Sequence, residues 1–449
     1  MSSYLEHTRR IAAATPPERN RVVDFWRATA IGMVVIGHWM VAGIWKQPDG
    51  EVALLSALEY VPYAAWVTWL VQVMPVFFLA GGYANARGMS RVLSGEQRRR
   101  DWITLRTRRL WSPVTPLLVV WVVLIVIMRL FLEPRILSSG SMSATVPLWF
   151  LAVYLVLTAL APFTLAWWRR WRWWSVTALV AAALAVDLAR FQAEVPGIAW
   201  CNYLFVWGAV HQVGYWWSER DAGPGIRITL GWTVCGTALA VLIAVTWLGW
   251  YPVPMIGVPG VGLNNMAPPT GAIGLLGMAQ AGLIWGTAPG LGRLMQRPRA
   301  WHTIVSLSGV VMTVYLWHLS AMTLVAVAGL NLAGGAAFEL EPGTTAWWLT
   351  RPLWIAALLI VLAGLVAVFA RFEWRVSDAP LPRTRRMVTA GVVLVAGSAG
   401  AVAMYGLTDT DGVIHWIIPG AALLGALILG ALPGRRRTPE TPPPLPASR

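Results

Sequence analysis

Charge is scarce in this chain of 449 residues: 12% are Asp, Glu, Lys or Arg, where a soluble domain carries about 25%. Lysine is almost missing, Lys46 being the only one, and there are two cysteines, Cys201 and Cys235. With 57% hydrophobic residues and a mean hydropathy of +0.60, this exclusion of charge rules out a single soluble core. Lipid must solvate much of the apolar surface. The two cysteines fall in separate apolar runs, near opposite ends, which excludes a disulfide framework and leaves the redox compartment open. No Cys/His spacing for a metal occurs, nor a phosphate loop of the G-x-x-x-x-G-K-[ST] type, nor a G-x-G-x-x-G fingerprint. There is no internal repeat, which argues against a two-fold transporter.

Long apolar runs are what the chain has instead. They fall at 22–45, 64–86, 113–132, 147–167, 173–191, 199–217, 228–250, 270–289, 304–328, 351–371, 387–406 and 413–432. Each is long enough to span a bilayer, and open strands are not tolerated against lipid, so each is expected to be a helix. The expected fold is all-α: a polytopic helical bundle of about 12 transmembrane helices. With the N-terminus placed in the cytoplasm, 29 of the 35 basic residues fall on inner segments. The outer side then holds Lys46, Arg129, Arg135, Arg190 and Arg351, and every inner loop obeys the positive-inside rule. Both termini are therefore expected in the cytoplasm. The net charge of +15 reads as topogenic, facing anionic lipid rather than nucleic acid. Trp clusters such as Trp167, Trp168, Trp171, Trp173 and Trp174 mark an interface. The first run lacks a small-residue cleavage site and reads as a retained helix. The outer loop 251–269 is uncharged and rich in Gly, Pro and Asn; a lid and a floppy connection fit it equally. The Pro-rich tail 433–449 is expected to be disordered.

Ionisable groups inside a membrane are costly, so they are functional candidates. The first helix holds Asp24, Arg27 and His38. Arg27 and His38 are eleven residues apart, which is three turns plus roughly 20°, so they share a face roughly 16 Å apart along the axis. Asp24 precedes Arg27 by three and can pair with it. The alternative is that Arg27 snorkels to the inner surface and His38 merely packs. The first inner loop carries Arg87, Arg91, Arg98, Arg99, Arg100, Arg106, Arg108 and Arg109. Arg106 and Arg109, three apart before the third run, suit a phosphate because the guanidinium fork bonds it in bidentate fashion. A plain topogenic cluster fits them as well. His318, beside Tyr315 in the ninth run, lies at a depth similar to His38. His211 and Gln212 are weaker candidates, and Gln72, Asn85, Asn202 and Gln280 suit contacts between helices.

Residues 21–38, with an Arg, ten residues and then a His, resemble the opening helix of the bacterial acyltransferase type 3 family of membrane O-acyltransferases. Met74 to Tyr83 resembles its second helix, and Arg106-Thr107-Arg108-Arg109 its Arg-x-x-Arg motif. Pro147 to Leu151 and Val314 to His318 resemble two later signatures. The resemblance runs in order over about 20–372. It implies a ten-helix core at 21–372 after a cytoplasmic segment 1–20, with 373–432 as a two-helix addition. It also implies acyl transfer, often of acetyl, from a cytoplasmic acyl-CoA co-substrate to a hydroxyl of a glycan, lipid or small molecule. No resident cofactor is implied. On this reading His38 is the catalytic base, or else relays the acyl group outward as a covalent acyl-histidine, and Arg27, Arg106 and Arg109 hold the donor. Asp24, Tyr315 and His318 are supporting candidates. The expected place is the bacterial cytoplasmic membrane. A transporter using buried His, Arg and Asp, and a non-catalytic relative that only binds lipid or glycan, are the rival readings. Some relatives carry a fused extracytoplasmic esterase-like domain; no outer segment here is long enough to hold one.

Overall fold

The computed structural model describes residues 2–61, 64–221, 225–257, 264–374, 377–432 and 434. An amphipathic helix α1 (Ser2–Ala13) leads to α2 (Arg21–Val41), whose first amides are capped by the Asn20 side chain. The first apolar run is expected to stay helical to 45, but α2 stops at Val41. There the chain turns into an antiparallel hairpin, β1 (Ala42–Lys46) and β2 (Val52–Ser56), paired from Ala42↔Ser56 to Lys46↔Val52. Gly50, at φ +89°, allows the turn. A short α3 (Ala57–Tyr60) follows through a capping box of Ser56 and Glu59.

The second run is broken. α4 (Ala64–Val71) and α5 (Met74–Gly88) flank Gln72 and Val73, with Pro75 at the start of α5. The polar groups at the break are answered internally: Gln72 Oε1 accepts from Met74 N at 3.1 Å, and Gln280 Nε2 donates to Gln72 O at 2.5 Å. A turn of helix, α6 (Ser90–Leu93), leads to α7 (Arg99–Trp111), which meets α8 (Val114–Met128) at 42° across Ser112 and Pro113. α9 (Pro134–Thr145) and α10 (Leu148–Trp171) are similarly joined at Pro147. Then come α11 (Trp173–Phe191), α12 (Asn202–Asp221), α13 (Ile228–Trp247) and α14 (Gly271–Met295). The amphipathic α15 (Pro298–Ser308) is separate from α16 (Val311–Asn331), although the ninth run is expected to begin at 304. α17 (Thr345–Trp374), α18 (Arg385–Tyr405) and α19 (Ile417–Leu429) complete the bundle.

Every one of the twelve expected runs thus carries a helix. Among the described residues, eight spans are long and apolar enough to cross a membrane, or nine when α7 and α8 count as one. α2, α12 and α19 fall outside that set: the first two carry charge, and α19 has 13 residues. The lipid-facing surface is apolar, with Leu353, Ile360 and Trp247 exposed. Inside, close approach depends on small residues. A side chain on Gly82 of α5 would overlap the backbone of His211 and Gly214 on α12.

The outer loop after α13 is packed rather than splayed in its described parts, 251–257 and 264–269. Asn265 donates to Pro252 O and Pro254 O, at 2.6 and 3.0 Å. Met255 is fully buried, and its carbonyl accepts from Gln72 Nε2 at 2.7 Å. Asp187 on α11 gathers donors from Asn202 Nδ2, Tyr251 Oη and Gly271 N at 2.7 to 2.8 Å, which fastens the loop to three helices. The tip of the loop, 258–263, and nearly all of the tail after 432 lie outside the described residues, so the disorder expected of the tail is not addressed.

Candidate active site

The first helix is the hub of the molecule. α2 touches α5, α14, α15, α16 and α17. Indole hydrogen bonds lock it in depth: Trp39 Nε1 donates to His318 O on α16, and Trp354 Nε1 on α17 donates to Trp39 O, both at 3.1 Å. Two cavities lie along this hub, one towards each side of the bundle.

The inner cavity encloses about 400 Å³ and is bordered by α1, α2, α5, α7, α10, α15, α16 and the end of α17. Arg27, Arg106 and Arg109 all line it, so the structure brings together the three arginines singled out in the sequence. Two acidic groups share it, and each is already engaged. Asp24 takes a two-pronged contact from Arg19, with Nε to Oδ2 at 2.7 Å and Nη2 to Oδ1 at 3.1 Å. Arg27 is 3.9 Å from Asp24 Oδ1, so the expected Asp24–Arg27 pair exists as the weaker of the two. That carboxylate holds the Arg19 guanidinium above its ordinary range. Glu373 is spent on the start of α16, accepting from Met312 N, Thr313 N and Thr313 Oγ1 at 2.8 to 3.2 Å. Arg106 makes no ion pair among the described residues; it donates to Ala84 O at 3.2 Å and lies over the Trp102 ring. The cavity lining thus holds four arginines, Arg19, Arg27, Arg106 and Arg109, against two carboxylates, an excess of positive charge. Arg19 and Glu373 are not marked by the sequence. Arg19 looks like ordinary inner-side charge, and Glu373 sits at the end of a long apolar run whose neighbour across space is not visible in one dimension.

The outer cavity encloses about 240 Å³ between α2, α5, α16, the kink at Pro147 and the packed outer loop. His38 and His318 both line it, with Gln72, Ser56 and Trp149. The rings meet: His318 Nε2 is 3.3 Å from His38 Nδ1. Backbone carbonyls choose the tautomers, since a carbonyl only accepts. His38 Nδ1 is 2.8 Å from Val34 O, and His318 Nδ1 is 2.6 Å from Tyr315 O. Each Nδ1 therefore carries a hydrogen in the neutral rings. The one Nδ1 hydrogen of His38 is then shared between Val34 O and, over the longer 3.3 Å, the lone pair on His318 Nε2, and the Nε2 of His38 is left as a base. His38 is exposed, on the part of α2 that borders this cavity.

Tyr315 lines both cavities, and its Oη donates to Pro147 O at 2.8 Å. Its ring stands where the two spaces approach, between the arginines on one side and the histidines on the other. His211 and Gln212 border neither: both are buried, His211 against Asn85 at 3.2 Å and Gln212 against Ser175 at 2.5 Å. Asn85 and Asn202 bridge helices, as their placement in apolar runs suggests, and Gln280 reaches from α14 to the break between α4 and α5, whereas the Gln72 side chain in that break holds the outer loop at Met255 instead.

A family profile described as an acyltransferase domain, Acyl_transf_3, matches residues 20–370. No curated protein and no solved structure matches the chain. The profile spans α2 to α17, every helix that borders the two cavities except α1, and it leaves α18 and α19 outside. The chain belongs to the type 3 acyltransferase family, and is a multi-pass membrane enzyme of the bacterial cytoplasmic membrane that transfers acyl groups.

Proposed function

We propose that the enzyme moves an acyl group, acetyl being the simplest, from a cytoplasmic acyl-CoA to a hydroxyl on a glycan, lipid or small molecule, with His38 as general base. The observation that carries this reading is the pairing of an arginine-lined inner cavity with a histidine-lined outer one across Tyr315. With both termini in the cytoplasm, the arginines lie on the side where acyl-CoA is made. Arg27, Arg106 and Arg109 hold its phosphates, and its flexible arm runs along α2 towards His38. Residues 21–372 form the catalytic core, and 373–432 are an added helical pair.

The acceptor oxygen attacks the thioester carbonyl carbon, and its proton passes to His38 Nε2. The C–S bond breaks, the coenzyme leaves as a thiolate, and the proton returns from His38 to that sulfur or to water. As His38 becomes an imidazolium, the lone pair on His318 Nε2 faces its charged Nδ1–H and steadies it. Asp24 orients Arg19 and Arg27 at the mouth. Tyr315, held by its bond to Pro147 O, lines the path by which the arm reaches His38.

Purified enzyme given radiolabelled acetyl-CoA tests the reading, with thioester loss and label in an envelope extract as readouts. His38→Ala should lower turnover by roughly 10²- to 10⁴-fold with donor binding retained. Arg106→Ala should weaken donor binding by about 10- to 100-fold, the loss of a charged hydrogen bond, with a smaller effect on turnover. Wild-type turnover in the first variant, or unchanged donor affinity in the second, removes that residue from the scheme.

A further inference from the structure

A third cavity, of about 670 Å³, lies on the flank of the bundle, away from both spaces described above. Two helices form its walls. From α10 come Val156, Ala159, Leu160 and Phe163, and from α18 come Val388, Val392, Val393 and Ala396. The spacing on each helix is three and four, so each offers one continuous apolar stripe. The helices run antiparallel here: Arg385 and Phe163 share the inner end of the cavity, while Gly400 approaches Ala152 deeper in.

The inner end of the same cavity is basic. Arg98, Arg99 and Arg100 on or beside α7, and Arg385 at the start of α18, all line it. Arg100 is engaged, 3.3 Å from Asp101 and bonded to Arg383 O at 2.6 Å. Arg98, Arg99 and Arg385 are exposed and form no ion pair among the described residues. From Arg385 to Ala396 the groove spans eleven residue steps, roughly 16 Å of helix. That is close to half of a hydrocarbon core about 30 Å thick, the depth of one leaflet.

We propose that this groove is a binding site for an anionic phospholipid of the inner leaflet. The phosphate headgroup rests among Arg98, Arg99 and Arg385, and an acyl chain lies along the groove where α10 and α18 meet. A purely topogenic cluster needs only charge near a helix end. Here the charges converge from two helices on one cavity, and apolar stripes of one-leaflet depth continue beneath them. Basic pockets between helices on the cytoplasmic side are recognised by such headgroups. A free phosphate would use the arginines but leave the stripes uncovered. A zwitterionic lipid would cover the stripes but leave the charge unmatched. Because α18 lies beyond the region matched by the family profile, one wall belongs to this chain's added helical pair.

The test is lipid binding to the purified full-length protein in detergent, followed by native mass spectrometry. Phosphatidylglycerol is compared with phosphatidylcholine of the same chains, and glycerol phosphate serves as a chainless competitor. Wild type should prefer phosphatidylglycerol by at least about tenfold, and the preference should fall as salt rises. Replacing Arg98, Arg99 and Arg385 by Gln together should weaken that lipid by about 100-fold. Val393→Trp, at an exposed position of the groove, fills it and leaves every charge in place, and should weaken it as well. Equal binding of the two lipids by wild type, or a preference insensitive to salt, overturns the proposal without recourse to a variant. So does displacement of the lipid by glycerol phosphate at equal concentration, which would mark a site for phosphate alone.

Discussion

At the scale of single residues, the chemistry turns on which nitrogen carries a proton. His38 and His318 are each tied to a carbonyl one turn back on their own helices, at 2.8 and 2.6 Å. Those bonds assign the hydrogens without any charged partner. They also explain why two histidines can sit side by side in a membrane interior: each ring satisfies its Nδ1–H locally, and the pair needs no counter-ion. In the proposed mechanism His318 acts through His38, as a positioning residue. His318→Ala should lower turnover by about tenfold, since Val34 O still holds His38, and donor affinity should not change. His318→Gln should recover part of the loss, because an amide oxygen can accept from His38 Nδ1. A fall in donor affinity, or no rescue by Gln, would show that His318 contributes packing alone.

At the scale of elements, the arginine motif divides its labour. Arg106 and Arg109 face the inner cavity, while Arg108, between them, is buried and points the other way. Its guanidinium donates to Leu429 O at 2.5 Å, Ala379 O at 2.7 Å and Pro380 O at 2.8 Å. Arg108 therefore clasps α19 and the segment that leads into α18 to α7, the helix that carries Arg106 and Arg109. Arg108→Ala leaves three carbonyls short of a donor, each worth about 1–3 kcal/mol when buried. Thermal unfolding in detergent should show a clear drop in midpoint. Arg109→Ala, at the open cavity, should leave the midpoint nearly unchanged and weaken donor binding instead. If the two variants unfold alike, the clasp is not a structural one.

At the scale of the whole molecule, orientation decides which cavity meets the acyl donor. The asymmetry of arginine predicts that the face bearing α1, α7 and α15 is cytoplasmic, and that the hairpin β1–β2 and the packed outer loop face away. Labelling by a membrane-impermeant maleimide checks this, with Cys201 and Cys235 first replaced. A cysteine at position 46 should react in intact spheroplasts, and one at position 293 only after lysis. The reverse pattern would put the arginine-lined cavity on the wrong side for a cytoplasmic donor and would overturn the proposed route of the acyl group.

By itself, the chain determined the features that local physics dictates. Runs such as Thr345–Trp374 must be helices because nothing else satisfies the backbone in lipid, and the Arg27–His38 stripe comes from helical period alone. The short motifs around His38, Arg106, Pro147 and His318 carried the family. Tertiary structure decided whatever depended on neighbours far apart in sequence. It alone joined His38 to His318 across 280 positions, gave Asp24 to Arg19 before Arg27, and turned Arg108 away from Arg106. It also divided the expected inner-side positive charge among the cavity beside α2, the contacts of Arg108 and the groove on the flank. Arginines next to one another on a helix point in different directions, and only the packing of other helices determines what each one meets.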